Sequence, residues 1–133
     1  MGEELLVNEQ IDAGADFVRA FDDSVPVSVA CWIVPSDADT KYLYVASDDI
    51  NDSNTHAAYG EVLRTLSGKK SKWLGPFQIK LVNTSHPVAQ DAIEVRERFP
   101  APIITRFGGT SIGGMSIHGA CIYPPVSSMK AAT

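Results

Sequence analysis

The sequence predicts an α+β fold: a single mixed, largely antiparallel five-stranded sheet with three helices, in the order α-β-β-α-β-α-β-β. Three observations lead to this prediction. The chain has 133 residues, which is typical of one domain. Its hydrophobic fraction of 44% and charged fraction of 20% are those of a globular protein. Segments with apolar residues at helical spacing also occur between segments in which side chains alternate between two faces, as in β-strands. We take residues 1–125 as one domain and residues 126–133 as a disordered tail.

The first helix is predicted over about residues 3–22, because apolar residues recur there at spacings of four and three. This stripe consists of Val7, Ile11, Gly14, Val18 and Phe21. Glu3 and Glu4 suit the positive end of the helix dipole. Gly14 weakens the helix, but its missing side chain permits the close approach of another element.

Two alternating segments then predict a hairpin of strands, from Val27 to Val34 and from Lys41 to Ser47. Both faces of the first segment are apolar, which indicates an inner strand. We expect the hairpin to stack two groups of side chains on opposite faces. One group contains Cys31, Ile33, Leu43 and Val45, and the other contains Trp32, Tyr42 and Tyr44.

The remaining elements follow from the same patterns and from the proline and glycine residues between them. They are a helix through Tyr59–Leu66, a strand over Phe77–Leu81, a helix from Ser85–Pro87 to Phe99, and strands over Ile103–Phe107 and Met115–Tyr123. Because hairpins are predicted at both ends of this element order and a helix connects the third strand to the fourth, we expect a mixed sheet. We expect the helices to lie mainly on one side of it.

Charge is divided unequally along the chain, whose net charge is −5. Residues 1–61 hold 13 acidic and two basic residues, whereas residues 62–133 hold nine basic and three acidic residues. We expect the two halves to fold together, so that their electrostatic fields largely cancel. The alternative is a charge-complementary surface that steers self-association or a partner.

Cys31 and Cys121 each lie in an apolar run without CxxC spacing, which predicts buried free thiols. The acidic start Met1–Glu4 lacks the pattern of a signal peptide. No apolar run reaches the roughly 18 residues that a membrane span needs. We therefore expect a cytoplasmic protein without a membrane partner.

Residues 109–113 match the G-x-S-x-G pattern of a hydrolase nucleophile elbow. That elbow needs an acid and then a histidine after the serine. His118 follows Ser111, but no acidic residue follows Glu97, and a strand is predicted where the elbow needs a helix. We interpret the motif as a glycine-rich turn, and a hydrolase using Ser111 and His118 is the third of our functional hypotheses.

The acidic loop at residues 48–54 and the three histidines do not match known metal sites. An EF-hand loop from Asp49 would need glycine at position 54 and glutamate at position 60, where the chain has Asn54 and Gly60. The histidines also lack the spacing of zinc ligands. We predict no metal and no cofactor.

The rings of Trp32, Tyr42 and Tyr44 are the candidate oligomer or partner interface. If the helices cover the Cys31 face, these rings remain exposed, and large exposed apolar patches mark interfaces. The alternative is that a helix or the basic loop covers them. From this group we predict a non-enzymatic interaction or small binding module that self-associates, with a dimer as the favoured homo-oligomer.

A basic loop with an aromatic ring supports the alternative hypothesis, a nucleic-acid-binding accessory protein. Its candidate contact residues are Lys69, Lys70, Lys72 and Trp73. The acidic net charge and the lack of an RRM, KH or helix-turn-helix pattern favour an ordinary exposed loop instead.

Several short segments resemble a group of small, stand-alone, uncharacterised bacterial proteins. These segments are residues 18–22, 30–32, 45–47, 114–117 and 120–123, together with Tyr59. The likeness covers most of the chain except residues 69–100. It departs at Gly113, where the group tends to have asparagine, and at Pro124, where it tends to have arginine. The resemblance implies a bacterial origin and carries over no catalytic residue.

Overall fold

The computed structural model describes residues 8–36, 40–68, 72–98 and 105–131. They form an α+β fold around one mixed five-stranded sheet, which confirms the predicted fold class. The elements in chain order are α1 (Asn8–Phe21), β1 (Val29–Pro35), β2 (Tyr42–Ala46), α2 (Thr55–Gly68), a 3-10 turn (Pro76–Gln78), β3 (Ile79–Val82), α3 (Pro87–Arg98), β4 (Thr105–Ile112), β5 (Met115–Ile122) and α4 (Val126–Ala131).

The strands lie in the order β3-β2-β1-β5-β4. β1 pairs antiparallel with β2 and β5, and β4 pairs antiparallel with β5. β3 pairs parallel with β2, which makes the sheet mixed. All seven residues of β1 are buried, as expected for a central strand with helices on both faces.

The helices cover the two faces unequally. α1, α2 and α4 pack on the face that carries Trp32, while α3 alone covers the face that carries Cys31. Of the two arrangements that the sequence left open, the one in which helices cover Trp32 is therefore the observed one. Both faces of β1 are apolar, so its alternation could not show which face receives more helices.

The register of the β1–β2 hairpin corrects the predicted grouping of side chains. Trp32 lies opposite Leu43, and Cys31 lies opposite Tyr44. Since directly opposed residues point to the same face, Tyr42 and Tyr44 share the Cys31 face instead of the Trp32 face. A change of one residue in register moves every side chain of a strand to the other face, and the loop sequence did not fix that register.

The chain from residue 126 to residue 131 is a helix, so the predicted tail is wrong for these residues. Val126 and Met129 are buried against the helical layer. Lys130 Nζ binds Asp22 Oδ2 at 2.8 Å, which links α4 to the end of α1. A helix of six residues is too short to show the apolar periodicity from which a helix is recognised.

Gly14 brings α1 close to the sheet, which confirms the predicted role of this glycine. A Cβ atom at position 14 would lie 2.6 Å from Trp32 Nε1 and would also meet the Tyr123 hydroxyl group. Trp32 Nε1 donates a hydrogen bond to Tyr123 Oη at 2.9 Å, and Tyr123 Oη donates one to the Ile11 carbonyl at 2.5 Å. The polar atoms of two buried aromatic residues are therefore satisfied against α1.

Candidate interaction surface

The three rings predicted as an interface do not form one surface. Trp32 has an exposed fraction of 0% and lies beneath α1. Tyr42 and Tyr44 are half-buried on the opposite face. Lys80 Nζ lies 4.8 Å from the Tyr42 ring centroid, and the Tyr44 ring lies 6.0 Å from the His86 ring. Trp32 is therefore a core residue, while a role of the two tyrosines in an interface stays a prediction.

Cys31 and Cys121 are buried free thiols, as the sequence predicts. They point to opposite faces of the sheet, because Trp32 is the direct partner of Cys121 across β1 and β5. Burial raises the pKa of the Cys31 thiol to about 12, so this side chain remains protonated and unreactive near neutral pH.

The basic loop is described in part, because Lys69 and Lys70 lie outside the described residues. Lys72 is exposed and Trp73 is half-buried. Lys72 Nζ lies 5.1 Å from the Trp73 ring centroid, a cation–π contact. One face of this ring is thus occupied by the neighbouring side chain, which leaves less of it for stacking on a base.

The G-x-S-x-G motif lies in a hairpin. Ser111 pairs with Ser116 within the β4–β5 ladder, and His118 is exposed on β5. Gly113 and Gly114 connect the strands with φ values of +58° and +81°, as in a two-residue type I′ turn. The predicted glycine-rich turn is confirmed at Gly113 and Gly114 only, because residues 109–112 belong to β4. Ser111 therefore lies in a strand, whereas a nucleophile elbow places its serine between a strand and a helix.

Hydrogen bonds within the acidic loop account for several of its polar side chains. Asn51 Oδ1 accepts hydrogen bonds from the backbone N–H groups of Ser53 and Asn54 at 2.9 and 3.1 Å. Thr84 donates a hydrogen bond to Asp48 across the adjacent loop. In the described ranges, His, Cys, Asp and Glu side chains form no group of three that could hold a metal ion.

Two large apolar side chains are exposed in the described part of the chain, and they lie together. Phe77 has an exposed fraction of 92% and Leu63 one of 56%. They line a groove of about 410 Å³ between α2 and the edge strand β3, which we call the α2–β3 groove. Its lining includes Tyr59, Leu63, Pro76, Phe77, Ile79 and Lys80.

The backbone of β3 limits how a partner can use this groove. The backbone polar groups of Val82 point toward β2, because the Val82 carbonyl accepts a hydrogen bond from Ser47 N at 3.1 Å. Since these groups alternate in direction along a strand, the backbone N–H and C=O groups of Ile79 and Leu81 point toward the open edge of the sheet. The Ile79 N–H group is bound to the Pro76 carbonyl, and the Leu81 N–H group donates to Tyr59 Oη at 3.0 Å. Since these outward donors are already used, a partner contacts this surface through side chains more readily than by adding a strand.

A second depression lies on the other side of α2. It has a volume of about 270 Å³, and we call it the acidic hollow. Its lining includes Val25, Asp49, Ile50, Ala57, Ala58 and Glu61. At 3.6 residues per turn, the buried stripe of α2 at Ala58 and Val62 separates this hollow from the α2–β3 groove.

The sequence interpretation did not find the α2–β3 groove. Phe77 was assigned to the alternating face of a strand, whereas it lies in the 3-10 turn before β3. Leu63 was counted in the apolar stripe of α2, but the buried residues of that helix are Ala58 and Val62. The sequence carries no signal for this exposure, because the apolar stripe of α2 spans roughly the 100° that one packed face of a helix normally covers.

Comparison of the chain with known protein families, with curated proteins and with solved structures found no match. Within the described ranges, the helices are too short or too polar to cross a membrane.

Proposed function

We propose that this protein is a non-enzymatic interaction module that self-associates, and that a second copy of the chain occupies the α2–β3 groove. The observation that carries this proposal is the exposure of Phe77 and Leu63 on one groove. Apolar residues scattered singly over a surface are ordinary, whereas adjacent ones that line a groove are typical of an interface.

Burial of the Phe77 side chain is the main source of free energy for such an assembly. Complete burial of a phenylalanine side chain stabilises an assembly by about 1.5–3 kcal/mol, and nearly all of this side chain is available for burial. Aromatic side chains inserted at the centre of an interface contribute much of its affinity. Phe77 is therefore the expected anchor of the contact.

Charge supports a second copy as the partner. Residues 62–90 contain five basic residues and no acidic residue, and they include most of the lining of the α2–β3 groove. The acidic residues of the chain lie mainly before them, because residues 1–61 carry 13 of the 16. A second copy therefore carries the acidic residues that this segment lacks, and opposite charges on two molecules steer their association.

Sedimentation velocity from micromolar to millimolar concentration tests the proposal. We expect the wild-type chain to form larger species as its concentration rises, and Phe77→Asp to weaken this association by at least about tenfold. Gln90→Asp is the matched control, because it adds the same charge to an exposed position of α3, which covers the opposite face of the sheet. A wild-type chain that remains monomeric throughout, or a Phe77→Asp variant that associates equally well, contradicts the proposal.

Nucleic-acid binding is a second candidate function, which the exposed ammonium group of Lys72, a candidate phosphate contact, favours. Fluorescence anisotropy with a labelled single-stranded oligonucleotide at low salt measures it directly. Binding should weaken steeply with added salt and with Lys72→Glu, because phosphate contacts release counterions. An oligonucleotide that is not bound at low salt excludes this candidate.

A further inference from the structure

We infer, on the basis of the proposed self-association, that two copies of this chain form a closed twofold dimer through their α2–β3 grooves, with their α2 helices antiparallel. Two observations point to this geometry. The exposed apolar side chains lie on one groove, and the loops at the two ends of α2 carry opposite charges. In such a dimer, each copy covers Phe77 of the other.

The groove of one copy is the apolar surface available to cover Phe77 of another copy. Within the described ranges, Phe77 and Leu63 are the large apolar side chains that remain exposed. A head-to-tail contact requires a second, different patch that complements the first, whereas contact between identical patches has a twofold axis. Because Phe77 and Leu63 line the same groove, one twofold contact buries both side chains in both copies. The assembly therefore closes at the dimer.

Two grooves can face each other without strong electrostatic repulsion. Of the described lining, Lys80 alone is charged. Its ammonium group lies over the Tyr42 ring, on the face of the sheet opposite to α2, so it points away from the contact. Arg64 follows Leu63 on α2 and is paired with Glu61 of the same helix. The centre of the contact is therefore apolar in both copies.

The loops before and after α2 (Thr55–Gly68) differ in charge. The loop before the helix exposes the carboxylates of Asp48, Asp49 and Asp52. The loop after the helix exposes Lys72, and it belongs to the segment of the chain that contains basic residues and no acidic residue. The start of α2 is thus acidic and its end is basic.

This difference in charge selects the direction of the twofold axis. An axis along α2 would place carboxylates against carboxylates and lysines against lysines. An axis across α2 reverses the partner helix and places the start of each helix beside the end of the other. Since Leu63 lies near the middle of α2, contact centred there brings the loop of Asp52 close to the loop of Lys72 of the other copy. Symmetry repeats this attraction at both rims of the contact.

Charge reversal tests the orientation by sedimentation velocity. Asp52→Lys alone and Lys72→Asp alone should each weaken the dimer by about fivefold or more, because each places like charges at both rims. The double variant Asp52→Lys/Lys72→Asp should associate as the wild-type chain does, because it restores opposite charges and keeps the net charge. Glu97→Lys/Lys72→Asp is the matched control. It also keeps the net charge but changes α3, on the opposite face of the sheet, and should stay as weak as Lys72→Asp.

The outcomes distinguish this dimer from self-association in general. Species larger than a dimer at millimolar concentration, or single variants that associate as the wild-type chain does, overturn the antiparallel twofold contact, although self-association stands. A double variant that remains weak while it keeps the wild-type circular dichroism spectrum also overturns it. A wild-type chain that is monomeric throughout contradicts the proposed function itself.

Discussion

The backbone of Gly14 in α1 lies directly against the hydroxyl group of Tyr123, which follows the last residue of β5. This hydroxyl group accepts a hydrogen bond from Trp32 Nε1 and donates one to the Ile11 carbonyl. Two buried aromatic residues from neighbouring parts of the sheet are thus held by the backbone of one helix. The packing distance of α1 is set by this arrangement.

Replacement of Gly14 by alanine should destabilise the fold although alanine is the better helix former. The added Cβ would lie 2.6 Å from Trp32 Nε1, so the buried pair or the helix must move, and overpacking of this kind costs about 1–3 kcal/mol. Urea unfolding measures the loss. Gly60→Ala is the control, because nothing lies within 4 Å of its added Cβ in α2 and it should stabilise by about 0.5–1 kcal/mol. Equal effects of the two substitutions would contradict the close contact at Gly14.

Stability should fall as the pH rises above about 9, in part because Cys31 is buried. Burial raises the pKa of this thiol from 9.0 to about 12. Between these values the unfolded chain loses the thiol proton while the folded chain keeps it. The folded chain then binds more protons, so the free energy of unfolding decreases with pH.

Urea unfolding at several pH values between 8 and 11 measures this decrease, a range set by the pKa of the unfolded and folded thiol. Burial also raises the pKa of Tyr123, and this side chain adds to the slope in the same direction. Cys31→Ala removes the contribution of the thiol alone and should give a shallower decrease than the wild-type chain. Identical slopes would show that Cys31 does not couple ionisation to folding.

The sequence predicted the fold class and most of the elements because their apolar periodicities are local. It also predicted the close approach at Gly14, since a glycine on the apolar stripe of a helix has few other uses. It did not predict which side chains of β2 lie on the same face of the sheet as Trp32. Alternation in β1 and β2 defines two faces in each strand, but the pairing of Trp32 with Leu43 depends on the register between them.

The β4–β5 turn should tolerate alanine at Gly114 better than at Gly113. Both residues have positive φ values, which cost an alanine roughly 1–2 kcal/mol. A Cβ at Gly113 would in addition lie 2.7 Å from both the backbone nitrogen and Cγ2 of Val88, whereas Gly114 faces open space. Thermal unfolding of Gly113→Ala and Gly114→Ala compares the two positions. The larger loss should occur at Gly113, and the reverse order would contradict packing of the turn on α3.

The candidate interface was less predictable than the fold, for a physical reason. Whether an apolar residue is exposed depends on which tertiary neighbours reach it, and no local pattern contains that information. Leu63 continues the apolar run of α2 but lies beyond the stripe that the sheet covers. Phe77 belongs to a turn that carries it past the edge of β3, although it precedes the strand by only two residues.

Met129 should contribute measurably to stability, since residues 126–131 form a helix that packs on the core. Its exposed fraction is 7%, and its neighbours in the core cluster include residues of α1. Met129→Ala should lower the free energy of unfolding by about 2 kcal/mol. This value is at the lower end of the range for a buried methionine, because a terminal helix adjusts more easily than the centre of a core. Ser127→Ala, at an exposed position of the same helix, should change stability by less than about 0.5 kcal/mol. Urea unfolding of both variants distinguishes the docked helix from the tail that the sequence predicted, because in a tail neither substitution would alter the free energy of unfolding.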